Sequence, residues 1–125
     1  MKGNLLIIDD EKHLTDNLQM LFSRYSDKVF VANNGTDGLA ILENEAIHCV
    51  ICDIYMPELS GIEVIKKTRE DGNKVPFIFF TAYGEDELRG KVANYEQTLF
   101  LLKPDISSIV KIIESMLKLG MSSPT

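Results

Sequence analysis

The stretch Cys49-Val50-Ile51-Cys52-Asp53 is a short apolar run that ends directly in a carboxylate. Such a run, without polar alternation, is typical of a strand covered on both faces of a parallel sheet. Residues three apart on a strand point to opposite faces, so Cys49 and Cys52 are not expected to share a metal or form a disulfide. We interpret both thiols as core residues in a reducing compartment.

Four further apolar runs flank this stretch, and helix-period apolar residues follow each of them. The other predicted strands are Leu5–Ile8, Val29–Ala32, Val75–Phe80 (with Pro76 tolerated near its start) and Leu99–Leu102. The apolar positions of the predicted helices include Leu14 to Tyr25 in the first, Leu39 and Leu42 in the second, Ile62 and Ile65 in the third, Leu88, Val92 and Tyr95 in the fourth, and Ile106, Ile109, Val110, Ile113, Met116 and Leu117 in the last. Thr36 or Asp37 is expected to cap the second helix, and Gly120 to end the last one. The alternation predicts an α/β fold, a five-stranded parallel sheet with helices on both faces.

The composition indicates one globular domain. The chain has 125 residues, 45% of them hydrophobic, and a net charge of −6. That charge disfavours direct nucleic-acid binding, since phosphate backbones need clustered Lys and Arg. No apolar run is long enough to span a membrane, and the lack of an export signal favours the cytoplasm. We predict a domain over residues 1–119 and a flexible tail or linker over residues 120–125.

Residues that can do chemistry follow four of the five predicted strands: Asp9-Asp10, Asp53, Thr81 and Lys103. Only the second strand, followed by Asn33-Asn34-Gly35, lacks one, as an edge strand might. The carboxyl ends of parallel strands form the ligand site of an open sheet, so these residues should converge. Clustered carboxylates repel one another unless a cation lies among them, and Mg²⁺ prefers such oxygen ligands. The lysine and hydroxyl add anion-binding groups, so the set predicts a site that receives a phosphoryl group.

The motifs Ile7-Ile8-Asp9-Asp10-Glu11, Asp53-Ile54-Tyr55-Met56-Pro57 with Gly61, Thr81-Ala82 and Phe100-Leu101-Leu102-Lys103-Pro104 resemble those of response-regulator receiver domains. The likeness spans residues 3 to 119 and implies the flavodoxin-like (βα)5 receiver fold. It implies phosphorylation of Asp53 by a histidine kinase or histidine phosphotransfer domain, and an output partner that the sequence does not identify.

The resemblance also implies a role for each site residue. Asp10 and Asp53 would bind Mg²⁺ directly, Asp9 mainly through water, and Tyr55 through its backbone carbonyl. Thr81 and Lys103 would bind the phosphoryl oxygens. Thr81 and Phe100 would switch the surface formed by the fourth helix, fifth strand and final helix. The Lys103-Pro104 bond would be cis. The segment Glu96-Gln97-Thr98-Leu99 departs from the family pattern and leaves the end of the fourth helix and any symmetric dimer in doubt.

Several single residues have a simpler interpretation. Glu11 is expected only to favour a helix N-terminus, and His13 to be a polar helix position. Phe100 fits plain core packing as well as a switch, while Ile112 and Leu119 fit a wide buried stripe as well as a contact face. Tyr55 and Tyr83 are expected to shield an acyl phosphate or to point into solvent.

Other protein classes fit less well. A flavodoxin-like electron carrier needs a hydroxyl- or Gly-rich phosphate loop after the first strand, where this chain has acids. An aspartyl phosphatase should carry its nucleophile on the first strand. The remaining alternative is a degenerate receiver that binds partners without phosphorylation. The chain carries no effector domain, so it is a single-domain regulator or part of a longer one.

Overall fold

The protein, seen in a computed structural model, is described over residues 3–82, 84, 86–103 and 105–122, with side chains of the last helix described to residue 115. Within these residues five strands alternate with five helices. The strands are β1 (Asn4–Ile8), β2 (Lys28–Ala32), β3 (Cys49–Cys52), β4 (Phe77–Thr81) and β5 (Thr98–Leu102). The helices are α1 (Lys12–Phe22), α2 (Gly35–Asn44), α3 (Gly61–Glu70), α4 (Asp86–Ala93) and α5 (Ile106–Ser122). None of the described helices is both long and apolar enough to cross a membrane.

The strands form one parallel sheet in the order β2-β1-β3-β4-β5, which confirms the predicted fold and the edge position of β2. Alternate residues of each interior strand supply two separate cores, because successive side chains point to opposite faces. One core packs against α1 and α5, and the other against α2, α3 and α4. Cys49 belongs to the first core and Cys52 to the second, and both are free thiols, as predicted.

Local sequence explains where the helices near the site begin. Ser60 caps α3 through a capping box in which its hydroxyl accepts from the Glu63 N–H and the Glu63 carboxylate accepts from the Ser60 N–H. Asn34 caps α2, since its Oδ1 accepts a hydrogen bond of 2.8 Å from the Asp37 N–H. The prediction of Thr36 or Asp37 as that cap was therefore wrong. Asn34 is extended, which lets its side chain reach the first free N–H groups.

Other helix ends also differ from the prediction. Tyr25 and Tyr95 lie beyond α1 and α4, although both rings pack against the cores. Helix α5 continues to Ser122, so Gly120 is not its C-cap. Ile112 is half-buried against the core of α1 and α5, which favours the wide stripe over a contact face at that residue. The side chains of Met116, Leu117 and Leu119 lie outside the described residues.

Candidate functional site

The carboxyl end of β1 carries two neighbouring aspartates in different environments. Asp9 is 3% exposed, and its Oδ1 accepts a hydrogen bond of 3.0 Å from the Glu11 N–H. The Asp9 carbonyl oxygen accepts from the Asn33 side-chain amide at 2.9 Å. Asp10 is exposed. Backbone and side-chain bonds thus hold Asp9 in place, while the next carboxylate faces solvent.

Asp53 lies at the end of β3, the central strand of the sheet. Its N–H donates to the Ile8 carbonyl at 2.9 Å, and its Oδ1 accepts from the Ile54 N–H at 2.7 Å. The residue is only 7% exposed. Gly61 packs so tightly here that a Cβ on it would lie 2.1 Å from the Asp53 carbonyl oxygen. The absence of a side chain at Gly61 therefore allows α3 to start beside Asp53.

Lys103 follows β5 and joins these carboxylates. Its backbone N–H donates to the Thr81 carbonyl at 2.7 Å, which directs the side chain along the sheet edge where the strands end. Its Nζ lies 2.9 Å from Asp9 Oδ2 and 3.2 Å from Asp53 Oδ2. A third contact of 2.9 Å joins Nζ to Glu11 Oε1. The ammonium thus has an acceptor for each of its three N–H donors.

These contacts and the burial of the site shift the pKa values of Lys103 and Asp9. Burial disfavours the charged form of Lys103, but hydrogen bonds to Glu11 and Asp9 outweigh it and raise the pKa of Lys103 above its ordinary value. Burial raises the pKa of Asp9, while the Glu11 N–H and Lys103 partly offset that change. Lys103 therefore stays a cation at neutral pH.

The acidic cluster fits a hard divalent cation. Asp9, Asp10 and Asp53 each offer a carboxylate oxygen, and these oxygens lie within 4.8 Å of one another. Oxygen ligands of this kind, one of them open to solvent, suit Mg²⁺, which keeps several waters. The convergence of the three aspartates with Lys103 agrees with the sequence prediction.

The remaining predicted residues lie on β4, on β5 and after β3. Thr81 is completely buried at the end of β4, and Tyr55 is 50% exposed. Phe100 is half-buried against the core that packs against α2, α3 and α4. The Arg89 guanidinium lies 4.4 Å from the centroid of the Phe100 ring. Tyr83 and Pro104 lie outside the described residues, so the shielding role of Tyr83 and the cis bond remain predictions.

Glu11 is the site residue whose role the sequence analysis missed. It is the N-cap residue of α1 but makes no capping bond through its side chain. Its carboxylate binds Lys103 instead, across 92 positions of sequence. The expectation that Glu11 only favours a helix N-terminus was wrong, because its carboxylate also contacts Lys103. The signal available in the sequence was a third acid directly after the Asp9-Asp10 pair.

Comparison with known proteins matches the chain to a family. The model of the response regulator receiver domain matches residues 5–114. This chain belongs to the response-regulator receiver family. The receiver is thus a signalling module of two-component systems, and its acidic pocket lies where that family has its phosphorylation site.

Two similar proteins are transcriptional regulators by name. The CpxR homolog of Haemophilus influenzae is 43% identical over 84 residues, which cover 67% of the receiver and 36% of that protein. SrrA of Staphylococcus aureus is 31% identical over 104 residues, which cover 83% and 43%. The receiver thus spans less than half the length of these curated relatives. A receiver domain structure from Clostridium thermocellum is 27% identical with a TM-score of 0.79, covering 95% of this chain and 97% of that one.

Proposed function

We propose that this receiver accepts a phosphoryl group on the Asp53 carboxylate from a phosphohistidine of a histidine kinase or phosphotransfer domain. The phosphorus–nitrogen bond of the donor breaks as a phosphorus–oxygen bond to Asp53 forms, and the donor imidazole takes up a proton. The observation that carries the proposal is the Lys103 ammonium, held between Asp9 and Asp53 at 2.9 and 3.2 Å. A buried cation beside a strand-end carboxylate is suited to binding a phosphoryl oxygen.

Each site residue has a role in this proposal. Asp9, Asp10, Asp53 and the Tyr55 carbonyl would hold Mg²⁺, which neutralises charge on the phosphoryl oxygens. Lys103 and the Thr81 hydroxyl would bind those oxygens as the donor leaves. Asp53 would be the acceptor, and the Ile54 N–H, which holds Oδ1, would orient its carboxylate. The receiver would catalyse only its own phosphorylation and dephosphorylation, without turning over a separate substrate.

The output would come from the surface of α4, β5 and α5. Phosphorylation would draw Thr81 toward the new group and let Phe100 shift, as a change in population between two packings. The exposed Leu99 and Leu102 on β5 support a contact surface here. The output partner is unassigned, and the net charge of −6 favours a protein over nucleic acid. Residues 1–119 would act as the domain, and residues 120–125 as a flexible tail or the start of a linker.

A degenerate receiver that works without phosphorylation is the less favoured alternative. It would have no need for three carboxylates within 4.8 Å of one another together with a lysine that contacts two of them. Such a cluster is costly without a function, because like charges in one crevice repel each other. The two alternatives differ in whether Asp53 becomes modified.

Asp53→Asn should abolish phosphorylation. The wild-type protein, incubated with Mg²⁺ and a small acyl phosphate, should gain the mass of one phosphoryl group, and hydroxylamine should remove it. Asp16→Asn is the matched control, since Asp16 is an exposed aspartate that pairs with Lys12 on α1. Equal incorporation in Asp53→Asn and the wild type would refute the assignment of the acceptor. No incorporation in the wild type would favour the degenerate alternative.

Asp10→Ala should weaken Mg²⁺ binding about tenfold or more, because it removes one anionic oxygen ligand. A titration followed by the change in thermal midpoint is suitable, since metal that binds only the folded state stabilises it. Asp16→Ala should leave the affinity unchanged. Unaltered affinity in Asp10→Ala would exclude that residue as a ligand.

A further inference from the structure

The three carboxylates that contact Lys103 differ in the free energy needed to break that contact. All three ammonium donors already have carboxylate acceptors, so an incoming phosphoryl oxygen needs one acceptor to leave. The exposed fractions of the acceptor side chains are 4% for Asp9, 9% for Asp53 and 62% for Glu11.

The cost of release follows from these exposures. Removing the cation from Asp9 or Asp53 would break a contact between two nearly buried groups, which costs more than breaking a contact with an exposed partner. Glu11 can turn into solvent and be hydrated at little cost. Before transfer, the cheapest exchange therefore replaces the Glu11 carboxylate with a phosphoryl oxygen.

Resting on the phosphoryl transfer proposed above, we infer that Glu11 is a positioning residue that competes with the incoming phosphoryl group for Lys103 and thereby slows phosphorylation. The Glu11 carboxylate joins the nearly buried ammonium to solvent, since the Lys103 side chain is 12% exposed and the Glu11 side chain 62%. The side chain makes no capping bond in α1, so substitutions at Glu11 leave the helix start intact.

Three variants distinguish the effect of the Glu11–Lys103 contact from the effect of the negative charge on Glu11. Glu11→Gln removes the ion pair and the charge. Glu11→Asp keeps the charge but shortens the side chain, which withdraws the carboxylate from Lys103. Glu58→Gln is the control, because Glu58 is exposed and lines the same groove as Asp10, while the ion pairs of Lys103 are with Asp9, Glu11 and Asp53. Thermal midpoints of all three should stay close to the wild type.

The rate of Asp53 phosphorylation by a small acyl phosphate tests the inference. Glu11→Gln should react about threefold faster than Glu58→Gln, the scale of an ion pair with one exposed partner. Glu11→Asp should also exceed the wild type. A second readout, the ¹⁵N resonance of the Lys103 ammonium in metal-free protein, should move in both Glu11 variants and stay fixed in Glu58→Gln.

Two results would overturn the inference. Equal rates in Glu11→Gln and Glu58→Gln would leave only a general charge effect, and a slower Glu11→Gln would mean that Glu11 assists the reaction. Both results presuppose a wild type that is phosphorylated on Asp53. A wild type that gains no phosphoryl group would instead remove the proposed function, and the role of Glu11 with it.

Discussion

The interior of the sheet and its β5 edge differ in how firmly they hold the site. Every residue of β3 and β4 is buried, whereas Leu99 and Leu102 of β5 are 44% and 41% exposed. The interior strands β1 and β3 end in Asp9 and Asp53, and the edge strand leads to Lys103. The carboxylate acceptors thus rest on closely packed strands, while the cation that joins them rests on a more open one. Probes and substitutions in the interior strands and in β5 should show how differently the two regions are packed.

Alkylation of Cys49 and Cys52 should show the largest contrast between the folded and unfolded chain. Burial raises the pKa of Cys49 to about 12, and burial also raises that of Cys52, so neither folded thiol supplies a reactive thiolate. We expect native labelling at least about a thousandfold slower than in denaturant, since reaction needs an opening of the interior strands. Mass spectrometry after timed exposure to iodoacetamide measures both rates. Rapid native labelling of either thiol would contradict a closed interior.

Gly61→Ala should cost about 4 kcal/mol or more of unfolding free energy, the upper range for single substitutions. The new Cβ would lie 2.1 Å from the Asp53 carbonyl oxygen, so β3 or the start of α3 must move. Gly90→Ala is the control, because its Cβ would meet nothing within 4 Å on α4, where Ala is the better helix former. Urea denaturation of both variants compares them. A Gly61→Ala as stable as Gly90→Ala would exclude the close approach.

Ile78→Ala and Leu99→Ala compare cross-strand partners, since these residues pair in register between β4 and β5. Ile78 is completely buried, so its truncation should cost about 3 kcal/mol through lost contacts and a cavity. Leu99 is 44% exposed, and its truncation should cost about 1 kcal/mol or less. Urea midpoints give both values. Similar losses at the two positions would mean that the β5 edge is packed as firmly as the interior.

The sequence was sufficient for the sheet and for the meeting of Asp9, Asp10, Asp53 and Lys103. Strand-length apolar runs fix which residues end a parallel strand, and those ends share one side of the sheet. The cap of α2 was placed at Thr36 or Asp37 instead of Asn34, because Asn, Thr and Asp all suit that position and the sequence does not show which backbone is extended.

The acceptors of Lys103 were not predictable in the same way. A lysine side chain is long and rotatable, and its choice between Asp9, Asp53 and Glu11 depends on distances set by the packed strands. Glu11 lies 92 residues from Lys103, so no local pattern links them. The contact of Arg89 with the Phe100 ring was not predictable either, because it depends on how α4 packs against β5.

The order of the charged residues along the chain has a consequence for biosynthesis. Asp9, Asp10 and Asp53 leave the ribosome first, and Lys103 follows Asp53 by 50 residues. At typical translation rates, Lys103 is made about 3 to 10 seconds after Asp53. During that interval β1, β2 and β3 can already pair, but the carboxylates at their ends have no lysine to balance them. The charge balance of the site is therefore completed only when β5 joins the sheet and brings Lys103 to Asp9 and Asp53.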